Sequence, residues 1–243
     1  MGEEGRAWGG EIWNGHPPEA MMTVFDAELT HLKEMLLRQA GLVESAVREA
    51  VRSLTDRDEA LARRVIEEDA AVNALENEID EECIRLLARR QPKAGDLRLI
   101  TTAMKINTDL ERMGDLAVDI AERAVELAAE PPIKPYIDVP RMAGAARRMV
   151  RDALDAFVRG DAALAREVIG RDDEVDALTV QIFNELMIFM VQDPTIIPRA
   201  TRITYVAKYL ERLADHATNI GEMVIYLVEG KWVRHLHPED RTD

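Results

Sequence analysis

The sequence predicts an all-α fold of two tandem, pseudo-symmetric three-helix bundles, six long helices in all, on the strength of three observations. Apolar residues recur at three- and four-residue steps over long stretches, as one face of an α-helix requires. Aromatics make up 5% of the chain against 47% hydrophobic residues overall. The core must therefore be aliphatic, whereas a β-architecture would want more aromatic and threonine content. The third observation is a repeat. Glu111-Arg112-Met113-Gly114-Asp115-Leu116-Ala117-Val118-Asp119-Ile120-Ala121-Glu122 returns as Glu211-Arg212-Leu213-Ala214-Asp215-His216-Ala217-Thr218-Asn219-Ile220-Gly221-Glu222, 100 positions on (211 − 111 = 100). Self-similarity at a fixed offset marks two related halves.

Taken in order, residues 1–20 hold Gly2, Gly5, Gly9, Gly10, Gly15, Pro17 and Pro18 without periodicity and read as a flexible extension. Trp8 and Trp13 are its notable side chains, and Met21 and Met22 are alternative starts. The first repeat is assigned to 21–130. Its first helix, over about 23–54, carries Phe25, Leu29, Leu32, Leu36, Val43, Val47, Ala50 and Leu54 at helical steps. Asp56 and Asp58 offer an N-cap for the second helix, over about 59–90. Gln91-Pro92-Lys93-Ala94-Gly95 breaks it, and Asp96 is placed to cap a third helix running to about 130. Pro131, Pro132 and Pro135 make 131–138 a stiff linker.

The pattern then restarts in a second repeat over 139–231. A fourth helix spans about 139–159, with Gly160 closing it and Asp161 capping a fifth over about 162–191. Asp193-Pro194 through Pro198 mirrors the break at Gln91-Pro92, and a sixth helix runs over about 199–230. Leu61-Ala62-Arg63 matches Leu164-Ala165-Arg166, Asp69 matches Asp172 and Asn73 matches Asp176, at a register of 103 (164 − 61 = 103). Residues 232–243 are a tail containing His235 and His237.

Charge and composition exclude several functions. Net charge is −15, from 46 acids against 31 bases, a field that repels nucleic acid. The single cysteine, Cys83, allows no intramolecular disulfide and suits a reducing cytoplasm, where it reads as a small buried apolar residue. No apolar run reaches the roughly 18–20 residues of a membrane span, and the N-terminus lacks the apolar stretch of a secretion signal. There is no glycine-rich phosphate loop, and no Ser or Cys has an identifiable base. The chain reads as soluble and non-enzymatic. A ferritin-like di-iron centre is disfavoured, because Glu28-Leu29-Thr30-His31 is the one Glu-x-x-His spacing and the other ligands are missing. His31 and His216 are both expected at the surface.

The acids themselves carry the remaining signal. Positions i, i+4, i+8 and i+11 share one helical face, so Glu111, Asp115, Asp119 and Glu122 form one stripe and Glu211, Asp215, Asn219 and Glu222 its twin. Leu110, Met113, Ala117, Ile120 and Ala124 project from the opposite side, toward a core. Asp69, Asp172 and Asp176 have no basic residue at their ±3 and ±4 positions, and several of those neighbours are β-branched and apolar. Arg112, Arg212 and Arg123 can reach part of the stripes, which leaves a solvated face of weak ion pairs as one reading. A bound cation is the other. Clustered carboxylates with an Asn and few His or Cys suit Mg, Mn or Fe.

The doubled Glu-Arg-x-Gly/Ala-Asp-x-x-x-Asp/Asn-Ile resembles the PhoU family of phosphate-uptake regulators. So do Val65-Ile66-Glu67-Glu68-Asp69-Ala70-Ala71-Val72-Asn73, Arg90-Gln91-Pro92 followed by Asp96-Leu97-Arg98, and Tyr226 ahead of Gly230. The resemblance covers about 22–235. It departs from the pattern at Ala214, where the motif commonly has Gly, and at Asn73, which stands opposite Asp176. It implies multinuclear sites for divalent or iron ions (Fe, Mn, Mg or Zn) on Asp69, Asn73, Glu111 and Asp115, and on Asp172, Asp176, Glu211 and Asp215, with Asp119 and Asn219 one turn on. It also implies a negative regulator, placed between the ATPase subunit of a phosphate-specific ABC transporter and a phosphate-sensing histidine kinase. Metal storage without a signalling role is the alternative. Long amphipathic helices in small units further suggest a homodimer.

Overall fold

The computed structural model describes residues 24–231. Its helices are α1 Val24–Asp56, α2 Glu59–Arg90, α3 Ala94–Ala128, α4 Asp138–Arg159, α5 Ala162–Gly170, α6 Asp172–Gln192 and α7 Ile197–Glu229, with a 3-10 turn Pro194–Ile196 before the last. No strand occurs among the described residues. The expected extension and tail, with Trp8, Trp13, Met21, Met22, His235 and His237, lie outside them.

The helix ends follow from single residues. Asp58 and Asp161 cap α2 and α5 by accepting backbone N–H bonds from Leu61, and from Ala163 and Leu164. Gly160 and Gly230 close α4 and α7 in the left-handed region, at φ 65° and 71°. Gln91 takes the same conformation at φ 46° and ends α2. The expected cap at Asp96 is corrected. The third helix already begins at Ala94, and Asp96 sits inside its first turn, where a carboxylate still favours the helix N-terminus.

A second correction concerns the fifth helix, which is not continuous. It breaks at Arg171, whose N–H bonds back to Val168 and whose carbonyl accepts from Glu174, both tight three-residue turns. Helix α2, its counterpart, is unbroken. The close approaches at the glycines of the two halves differ as well. At Gly114 of α3 an added Cβ would meet Asp69 Oδ1 and Val72 Cγ1 at 3.2 Å, so α2 presses on α3 at the acidic repeat. The second half has Ala214 there, and a close approach lies two turns on, at Gly221, where an added Cβ would meet the Ala165 carbonyl oxygen at 3.1 Å. Helix α5 therefore hugs α7 near Gly221. The bend between α5 and α6 falls after Gly170, the weakest helix former in the run.

The core is continuous through both halves. Leu110, Met113, Ala117 and Ile120 of α3, and Leu210, Leu213, Ala217 and Ile220 of α7, are all 0% exposed. These helices pack against each other as the central pair, and α1 also meets α4. Polar ties cross the same boundary: Arg202 reaches Glu126 at 2.6 Å and Glu130 at 3.0 Å, and Arg147 reaches Glu44 at 2.7 Å. Cys83 is fully buried, and burial, with Asp80 and Glu82 adding to it, pushes its thiol up to about 12. Such a thiol is inert filling.

Candidate metal centre

The expected acids fall into two interhelical grooves, one between α2 and α3 and one between α6 and α7. In the first, Asp69 lies half-buried against Gly114 and feels the charge of Asp115. Glu111 feels Asp115, Glu76 and Asp69. Asn73 donates its side-chain amide to Asp69 Oδ2 at 2.8 Å, one turn along α2. That bond gives Asp69 a partner inside its own helix. Arg112 reaches Asp115 at 3.7 Å and Glu111 at 3.5 Å, as its spacing predicts.

The second groove is the more highly charged. Asp172, at the start of α6, has Asp176, Asp215, Asp173 and Glu211 as its charged neighbours, and all are acids. Two carboxylate oxygens, Asp172 Oδ1 and Glu211 Oε2, are buried without a hydrogen-bond partner. Lys208 pairs with Glu211 at 2.6 Å from one turn earlier in α7, a partner that the sequence reading missed although it stands at i−3. Burial, and then these like charges, hold the Asp172 carboxyl up at about 6. Burial likewise raises Asp176, Asp215, Asp69 and Glu111, with neighbouring acids adding to it.

Not every residue of the stripes belongs to these grooves. Asp119 is raised by burial, but its charged neighbours are Glu122, Arg123, Asp115 and Arg212, toward the seam with α7. Asn219 is half-buried one turn beyond Asp215. His216 is corrected: instead of facing solvent it is 18% exposed, and its Nδ1 lies 2.8 Å from Asp109 Oδ1, a tie between α3 and α7. Helix periodicity places it off the acidic stripe but cannot reveal what the other half presents. His31 is at the surface as expected, 61% exposed.

Chemically, both grooves offer oxygen donors suited to hard cations, and the two orphaned oxygens of the second are groups that a cation would satisfy. Among the described residues, no three His, Cys, Asp or Glu side chains already converge on one point. The donors line the grooves without yet closing on a centre. Apart from such a cation, the arrangement makes a testable pH dependence. A carboxyl whose folded value is raised binds its proton more tightly folded than unfolded, so the folded state gains stability as pH falls through the folded value. For Asp172 the window runs from above about 6 down toward 3.8, its ordinary value. The metal-free protein is therefore expected to melt at a higher temperature near about pH 5.5 than near about pH 7.5. Asp172→Asn should flatten that slope. Thermal melts in chelator across this range check it, and a melting temperature that falls on acidification would contradict it.

The family model described as the PhoU domain matches twice, over residues 36–124 and 139–224. A protein of Pseudomonas putida named as a phosphate-specific transport system accessory protein PhoU homolog is 46% identical over 87% of this chain and 83% of its own length. A homolog of the same name from Aquifex aeolicus is 44% identical over 89% of this chain and 98% of its own. The crystal structure of PhoU from Pseudomonas aeruginosa superposes with a TM-score of 0.81 at 46% identity, covering 85% of this chain and all of that one. The phosphate transport system regulatory protein PhoU of Streptococcus pneumoniae gives 0.79 at 31% identity, covering 86% of this chain and 99% of that one.

Proposed function

The chain belongs to the PhoU family, and from that membership we propose that it is an accessory regulator of phosphate transport. Specifically, it acts as a metal-binding adaptor between the ATPase subunit of a phosphate-specific ABC transporter and a phosphate-sensing histidine kinase, keeping uptake and the starvation response off while phosphate is abundant. The observation that carries the reading is the doubled carboxylate groove, set on a scaffold shared over most of the chain with proteins named as accessory or regulatory components of phosphate transport. Those names describe regulators rather than enzymes, which suits a surface that binds and does not turn over substrate.

Asp172, Asp176, Glu211 and Asp215 would hold a divalent or iron ion in the second groove, and Asp69, Asn73, Glu111 and Asp115 in the first. Bound there, a cation supplies the positive charge that lets opposed carboxylates stay ionised in contact. The residues' own part is to set the spacing of the two helices of each groove. No helix of the described residues is long and apolar enough to cross a membrane, so in this reading the protein meets the inner membrane through its partners, from the cytoplasm.

Deleting the gene is expected to switch on phosphate-starvation genes in phosphate-rich medium, read as transcript levels. Continued repression in the deletion strain, combined with altered metal tolerance, would instead support the metal-storage reading and end this one.

A further inference from the structure

The two grooves differ beyond their acidic ends. In the second half the groove continues past Asp176 into an apolar trough of about 280 Å³, lined by Thr179, Val180, Phe183, Thr204, Tyr205 and Lys208. Val180 is 59% exposed, Phe183 46%, Met187 43% and Tyr205 51%, large side chains in a row along α6 and α7. Asp172, Asp176, Val180, Phe183 and Met187 stand three or four positions apart, so one face of α6 carries acids and then apolar residues. The first half keeps the register and changes the chemistry. At the offset of 103, Val180 corresponds to Asn77 and Phe183 to Asp80; at the offset of 100, Tyr205 corresponds to Lys105 and Ala207 to Asn107. There the positions are used up internally: Asn77 donates to the Asn73 carbonyl, and Asn107 donates to Asp80 and to the Glu76 carbonyl. Tyr205 stacks on Tyr209, ring centroids 6.3 Å apart, and still stands half in water, as does Phe183.

We propose that the α6–α7 groove is a docking site for an amphipathic helix of a partner protein, apolar along one stretch and basic at one end. A groove between two helices takes a third through spaced apolar anchors, here over Val180, Phe183, Met187 and Tyr205. In the metal-free protein the charge of the occupant follows from Asp172, Asp176, Glu211 and Asp215 at the end of the same groove, where Asp176 and Asp215 are exposed. Basic side chains placed there would pair with the exposed carboxylates of Asp176 and Asp215. A second copy of this chain fits worse. Two such grooves face to face set acids against acids, or, reversed, lay acids on Val180 and Phe183. The proposal goes beyond the regulatory reading and stands on the groove alone, so a failed binding test leaves the deletion test untouched.

The experiment uses the full chain in chelator, with two labelled helical peptides of about 14 residues, four turns each. Both carry the same leucine stripe; one ends in lysines and arginines, the other in glutamates. The basic-ended peptide is expected to bind at least about tenfold more tightly. Phe183→Asp and, separately, Val180→Asp should each weaken it about tenfold, although both add negative charge, while Asn77→Asp in the first half leaves it unchanged. Both second-half positions are exposed, and circular dichroism confirms that the variants fold. The controls have opposite signs: adhesion to an acidic protein would be strengthened by the added aspartates, and that result overturns the proposal. So would the absence of saturable binding, or sedimentation showing a dimer that Phe183→Asp dissolves.

Discussion

Gly221→Val is expected to lower stability by about 3 kcal/mol, and the melting temperature by roughly 6–12 °C for a chain of this size. Gly221 is buried in α7, and the space where a Cβ would go ends 3.1 Å away at the Ala165 carbonyl oxygen and 3.2 Å away at Ile169 Cγ1. A backbone oxygen inside α5 cannot swing aside, so the added Cβ, with two methyls beyond it, pushes the two helices apart. Gly41→Ala is the matched control. Gly41 lies inside α1, is exposed, and has nothing within 4 Å of an added Cβ. There the change should raise stability by about 1 kcal/mol, because alanine costs less to order in a helix than glycine. Denaturant titration of both variants checks the pair. Equal effects of the same sign would mean that the close approach of α5 to α7 does not constrain the fold.

The sequence made some of this legible and concealed the rest for identifiable reasons. Apolar periodicity located the helices, since burial of Leu110, Met113, Ala117 and Ile120 at 0% exposure requires nothing beyond one helix facing one core. Cap chemistry found Asp58, Asp161 and Gly160, because those bonds are local. The break at Arg171 is not legible in the sequence, where a propensity scale sees only that Gly170 is a weak former. The site divides along the same line. The lack of a base at ±3 and ±4 of Asp69, Asp172 and Asp176 is legible in the sequence, but the amide that Asn73 donates to Asp69 within the same helix is not. Whether Asp119 joins them depends on the seam with α7, where Arg212 and Tyr209 stand. His216 shows the limit plainly, for its partner Asp109 is 107 residues away.

The asymmetry between the grooves yields the last expectation. Asn73 already donates to Asp69, whereas the matching pair, Asp172 and Asp176, is two carboxylates, of which Asp176 alone feels the charge of Lys208. Replacing both with asparagine keeps their size and removes two charges from a cluster of acids. Without metal, the double variant should gain about 1–2 kcal/mol near neutral pH, a discounted share of what a carboxyl held near 6 in place of 3.8 implies. Asp69→Asn should gain less, because its carboxylate already has an amide. Metal content should move the opposite way. If cations occupy the grooves, elemental analysis of protein purified without chelator should show about half of the bound metal gone in Asp172→Asn/Asp176→Asn. The remainder should leave once Asp69→Asn and Asp115→Asn are added, with helical content unchanged throughout. A wild-type protein that takes up no metal at millimolar concentration would remove the cation from the picture. The gain in apo stability would survive that result, since it comes from like charge and burial alone, and the acids would then serve as the charged end of a docking groove.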